Sequence, residues 1–125
     1  MTRTYYGAKR ITAYPLERDG QPGFSTYEDG YESWSPRDVF EAAYQPIDAL
    51  SFGHALDALK AGESVARAGW NDKDMWLHLQ RPDRHSKMSL PYIYMQTVTG
   101  DLVPWLASQT DMLADDWRVI EATNR

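Results

Sequence analysis

The segment Val103-Pro-Trp-Leu-Ala-Ser-Gln-Thr-Asp111, followed by Ala114-Asp-Asp-Trp117, sets indole rings beside hydroxyl, amide and carboxylate groups. Upstream, Arg67, Trp70 and Asn71 repeat the mixture, and Trp76 opens the next apolar stretch. Such a set suits a nucleobase. Trp faces stack on any base, at about 1–3 kcal/mol each, while amide, hydroxyl and carboxylate groups read base edges or ribose hydroxyls. Asn71, Ser108, Gln109, Thr110 and Asp111 supply the polar contacts in this reading, and Arg67 or Lys73 a cation for phosphate. Taken singly, each Trp is more simply explained as core area in a small sheet. The pattern alone leaves the choice open.

Catalytic arrangements find little support. His54, His78 and His85 fall on different elements without the i, i+4 spacing of a helical zinc pair, and the chain has no cysteine to complete a site. Asp72 and Asp74 imitate the start of a calcium loop, but Leu77 stands where such a loop needs glycine and the terminal Glu is missing. Ser108 lacks the Gly-x-Ser-x-Gly frame of a hydrolase elbow, and there is no glycine-rich phosphate loop. Asp111, Asp115 and Asp116 would have to supply acid and base if the chain were an enzyme, and sequence proximity gives no sign of divergent pKa values. The expectation is a non-catalytic protein without metal or cofactor.

Composition bounds the setting. At 125 residues the chain suits one compact domain plus a small annex, and 42% hydrophobic against 25% charged residues marks a folded protein, not a disordered one. The absence of cysteine excludes a disulfide framework and fits a reducing cytosol. No stretch approaches the roughly 20 apolar residues that span a bilayer, and Met-Thr-Arg-Thr-Tyr-Tyr at the start is not a signal sequence. A cytoplasmic protein is expected. Its formal charge of −5 argues against duplex DNA or RNA as partner, whereas a small nucleotide needs only one or two local donors.

The elements that must position these residues read as α+β. Tyr5 to Tyr14 predicts a strand, Glu17 to Gly23 a turn, and Tyr27 to Trp34 a second strand. Ser35 as N-cap with Pro36 at the first helical position starts a helix through Tyr44. Pro46 to Leu50 reads as a linker, giving an N-terminal β-β-α module at 1–48 and a main domain at 49–125. Ser51 caps a second helix whose Phe52, Ala55, Leu56 and Leu59 form an amphipathic stripe, and Gly62 ends it. Strands follow at 64–67, 75–79, 92–98, from 102 and at 117–120, so that helix packs on a mainly antiparallel sheet.

Four ordered segments carry a resemblance: Ser51-Phe-Gly-His-Ala-Leu-Asp-Ala-Leu-Lys-Ala-Gly62, Val65-Ala-Arg-Ala-Gly-Trp-Asn71, Val103 to Asp111, and Leu113-Ala-Asp-Asp-Trp117. Over residues 51–120 the chain resembles the Thoeris anti-defense 2 family, phage and prophage proteins long filed as a domain of unknown function. The first 50 residues are similar to an N-terminal extension often attached to phage members. The resemblance implies a molecular sponge in the host bacterial cytoplasm. Such a sponge sequesters glycocyclic ADP-ribose, the cyclic nucleotide signal of Thoeris immunity, without cleaving it, so the effector is never activated. It implies a homotetramer with ligand pockets between protomers, Trp70 and Trp105 stacking on adenine or ribose, and polar contacts from Asn71 and Ser108 to Asp111. Some relatives also bind cyclic dinucleotides of a second immune system, CBASS, and a protein-interaction module is the remaining alternative. The chain departs from the family at Asp72 and Asp74, where a glycine-containing turn is usual and two carboxylates oppose a phosphate. It departs again in a shorter segment from about Gln80 to Pro91.

Overall fold

Two Asp-Gly pairs shape the start of the chain. Asp19-Gly20 and Asp29-Gly30 both hold positive φ, 53° and 79° in the first pair and 51° and 83° in the second, the backbone that a two-residue hairpin turn demands. The computed structural model, which describes residues 1–70 and 74–121, accordingly has three strands here. These are β1 (Ala13–Pro15), β2 (Gly23–Glu28) and β3 (Tyr31–Pro36), joined antiparallel in that order. The first expected strand shrinks to β1, and the expected 27–34 strand is instead a hairpin, with Glu28 opposite Tyr31 across Asp29-Gly30. Ser35 does not cap the helix that follows. It lies within β3 opposite Phe24, and α1 (Arg37–Ala43) starts behind Pro36 without a side-chain cap. Phe40 stacks on Phe24 at 4.5 Å and on Tyr44 at 4.9 Å, tying α1 to the sheet.

Residues 1–45 form one compact unit and 46–125 another, the division falling between Gln45 and Pro46. In the second unit, α2 (Phe52–Lys60) is capped by the Ser51 hydroxyl, which accepts from the His54 N–H, and it stops at Ala61-Gly62 with Gly62 at φ 92°. Its stripe covers one face of a five-stranded antiparallel sheet of order β7-β6-β5-β4-β8. The strands are β4 (Ser64–Arg67), β5 (Trp76–Gln80), β6 (Tyr92–Gln96), β7 (Leu102–Pro104) and β8 (Trp117–Ile120). One short helix is unexpected: α3 (Gln109–Met112), between β7 and β8. The fold is α+β. Among the described residues no helix is long and apolar enough to cross a membrane.

The alternation of strand side chains decides what each face carries. Val65 pairs with both Leu77 and Val119, and Leu77 with Met95, so these point toward α2 and join Leu50, Ala55, Leu59 and Trp117 in the core. Trp117 is fully buried although β8 is an edge strand. Leu50 shields that edge: its N–H donates to the Trp117 carbonyl at 2.7 Å, and its carbonyl accepts from the Trp117 N–H at 3.1 Å.

Candidate functional site

Trp117 anchors an aromatic cluster at one end of the helix-covered face. Trp70 meets it edge-on at 5.5 Å and Trp105 at 6.1 Å, while Phe52 from the first turn of α2 lies 5.4 Å from Trp117 and 6.0 Å from Trp105. Edge-to-face contacts of this kind fix ring orientation as well as burying area. Four elements deliver the rings: the first turn of α2, the turn after β4, the chain after β7, and β8. Trp117 is buried, whereas Trp70 and Trp105 keep part of their surface exposed. The structure therefore brings Trp70 and Trp105 together across 35 residues of sequence, through a third Trp whose own role is core.

Beside the rings lies a charge network. Arg67 donates through Nε to Asp116 Oδ1 at 2.8 Å and through Nη1 to Asp111 Oδ1 at 2.9 Å, with side-chain exposures of 16% for Arg67, 15% for Asp111 and 34% for Asp116. The Gly69 N–H donates to Asp116 Oδ2 at 2.7 Å. A Cβ at position 69 would stand 2.8 Å from that oxygen, so the close approach requires glycine. Asp116 sits below the usual carboxylate range because Arg67 donates to it, against a smaller opposing effect of burial. Burial pushes Asp111 up, but hydrogen bonds from Arg67 and Ser108 outweigh it and hold this group low as well. Asp116 and Asp111 in turn raise Arg67. One guanidinium between two ionised carboxylates carries a net charge of −1. Arg67, which the sequence offered as a cation for phosphate, thus commits three of its five N–H donors to Asp111 and Asp116.

Ser108 and Asp111 form a capping box. The Ser108 hydroxyl accepts from the Asp111 N–H at 3.0 Å, and the Ser108 N–H donates to Asp111 Oδ2 at 3.4 Å. Both residues therefore build α3, which also presents its Asp111 carbonyl to the Trp117 indole N–H at 2.9 Å. Gln109 and Thr110 are exposed on that helix, and Asn71 and Lys73 lie outside the described residues. The capping signal, Ser-x-x-Asp, was present in the sequence. Gly69 and Phe52, by contrast, became site residues only through contacts distant in sequence.

Trp76 stands apart. Leu77 points into the core, so Trp76 faces away from α2, where it meets Tyr94 edge-on at 6.0 Å. His78 shares that face, with its Nδ1 2.9 Å from the Ser64 hydroxyl, and 5.9 Å from the Tyr94 ring. The expected site residues that the structure describes thus do not form one cluster, Trp76 lying on the sheet face opposite Arg67 and Trp70. Two concavities lie elsewhere, about 260 Å³ beside Phe24 and Phe40 and about 620 Å³ beside Leu90 and Leu102, and neither is lined by Trp70 or Trp105. Among the described residues no group of His, Cys, Asp or Glu is arranged to hold a metal ion.

Residues 50–120, more than half of the chain, match the family model of the Thoeris anti-defense 2-like domain. The chain is also similar to a protein of Bacillus phage SP01 named Thoeris anti-defense 2, with 36% identity over 84 residues, covering 57% of this chain and 94% of that protein. The matched stretch contains the aromatic cluster, the charge network and α3.

Proposed function

The chain belongs to the Thoeris anti-defense 2-like family, and from that premise we propose that it captures the cyclic nucleotide signal of Thoeris immunity and withholds it, uncleaved, from the effector. The observation that carries this reading is the placement of Trp70 and Trp105. Each is braced edge-on against the buried Trp117 yet remains partly exposed beside a carboxylate-rich network. Braced rings offer stacking surface without a large ordering cost on binding. Carboxylate oxygens at the edge of this network, such as Asp116 Oδ1 with its single bond from Arg67, suit ribose hydroxyls as donors. The ligand class is a glycocyclic ADP-ribose type of molecule, bound in the host bacterial cytoplasm.

The non-catalytic part of the reading rests on the same network. Asp111 and Asp116 are both held ionised, so neither is poised to donate a proton near neutral pH. A multi-chain pocket is supported by Leu106 and Leu113, which flank the site at 92% and 79% exposure. Large apolar side chains beside an open aromatic cluster fit coverage by a second copy, as in the expected homotetramer.

The test is to mix purified protein with cyclic ADP-ribose isomers and cyclic dinucleotides, remove free ligand, denature by heat and identify what is released by mass. Intact cyclic ADP-ribose isomer is the expected product. Altered ligand would make the protein an enzyme, release of cyclic dinucleotides alone would reassign the defence it opposes, and no ligand at all would sink the proposal.

A further inference from the structure

Among the described residues, Arg67 on the helix-covered face is paired with Asp111 and Asp116, and the opposite face of the same sheet carries a second arginine. Arg118 pairs with Ala66 across β8 and β4, and Val65 opposite Leu77 places Ala66 opposite Trp76 on β5. Ala66, 3% exposed, contributes only a methyl group between two long side chains whose backbones stand two strand spacings, about 10 Å, apart. Arg118 Nε and Trp76 Nε1 are both buried hydrogen-bond donors without an acceptor among the described residues. Buried donors are almost always paired, and an unpaired one costs roughly 1–3 kcal/mol. Two such donors flanking one alanine point to an acceptor shared between them.

The surroundings choose its charge. Next along the strands come Ser64, His78 and Tyr94, which bring hydroxyl and imidazole groups and no carboxylate. A guanidinium with an indole N–H beside it, and no acid on these strand positions, favours an oxyanion over a neutral carbonyl. Arg118 and Trp76 each keep part of their surface exposed, and rotation between side-chain rotamers is the route by which the donors would open to a ligand. We infer that Arg118 and Trp76 form an oxyanion site, for a phosphate or carboxylate group of a small molecule, on the sheet face opposite Trp70 and Trp105. The inference rests on the proposed nucleotide capture only for which molecule carries the oxyanion.

The experiment follows the Trp76 indole N–H by NMR in the full chain, assigned through Trp76→Phe, during titration with inorganic phosphate, acetate and chloride at matched ionic strength. A saturable shift with phosphate is expected, weakened about tenfold or more in Arg118→Gln, the size of one lost charge-assisted hydrogen bond, and unchanged in the exposed-loop control Arg84→Gln. A shift with acetate alone supports the site and assigns it to carboxylates. If Arg118→Gln does not fold, loss of phosphate binding by calorimetry in Trp76→Phe carries the test. No saturable shift with either oxyanion overturns the site, as does a shift indifferent to both variants. A shift that follows protein dilution and not added anion also overturns it, because the acceptor then belongs to a second copy. Failure here leaves nucleotide capture at Trp70 and Trp105 standing, since the probe is inorganic.

Discussion

Asp116 lies so close to Gly69 that its Oδ2 accepts the Gly69 N–H at 2.7 Å and occupies the space a Cβ would need. The glycine thereby fixes the carboxylate that holds Arg67, and through Arg67 it locates Asp111. Gly69→Ala should displace Asp116 and destabilise the second unit by about 1–2 kcal/mol, the low end of the range for a lost hydrogen bond to a charged group because this one is open to solvent. A urea titration monitored by Trp fluorescence checks this, and an unchanged midpoint would show that the contact has no energetic weight.

Trp105 and Trp117 touch, yet their substitutions should separate. Trp117 is fully buried, so Trp117→Ala is expected to cost about 3–5 kcal/mol and to unfold much of the second unit. Trp105→Ala should keep the fold and lose ligand capture, as read by far-UV circular dichroism and by ligand release. Unfolding of Trp105→Ala would mark that residue as core.

Acid should loosen the charge network in a defined direction. Asp111 and Asp116 have folded pKa values below the ordinary 3.8, so the stability they contribute is fully present above that value. It is lost as the pH falls through their lowered folded values. The urea midpoint should therefore be flat, as far as these groups contribute, from neutral pH down to about 5, and fall below about 4. Arg67→Gln should flatten the acid limb; an unaltered limb would assign acid sensitivity to other carboxylates.

Ser108 can be tested as a builder of α3 and not a ligand contact. Ser108→Ala should lower stability by about 1 kcal/mol through loss of the cap, and Ser108→Thr should restore it. Ligand capture is expected to follow stability across the pair. Capture lost in Ser108→Thr despite restored stability would place this side chain against the ligand, where the added methyl group does not fit.

The two compact units lead to a prediction about truncation. Residues 46–125 contain α2, the five-stranded sheet and the aromatic cluster, each closed by contacts within that span. A 46–125 fragment should show a cooperative urea transition and capture the same ligand as the full chain. A fragment that fails to fold would make the first 45 residues part of the core structure.

Local signals were legible wherever neighbours in sequence also touch in space. Ser51, the stripe from Phe52 to Leu59 and Gly62 specify α2 by capping, periodicity and a positive-φ stop, and the helix runs as they dictate. The same grammar is present at Asp29-Gly30, where the alternation from Tyr27 to Trp34 reads as one strand but folds as a hairpin, and at Ser108-x-x-Asp111, where it specifies α3. Ser35-Pro36 misled because a good N-cap residue also serves within a strand, and pairing with Phe24 claimed it first.

The sequence by itself determined the element types and the family, because caps, turns and hydrophobic period depend on residues a few positions apart. Only the tertiary structure decided the charge of the site and its sidedness. Arg67 meets Asp116 across 49 residues, and that meeting turns an apparent phosphate donor into the centre of an anionic network. Likewise, alternation along β5 put Trp76 and Leu77 on opposite sides, but only packing of α2 on the Leu77 side made one face core and left Trp76 with Arg118 on the other. A strand's period is two whichever face is covered, so the choice of face belongs to the fold as a whole.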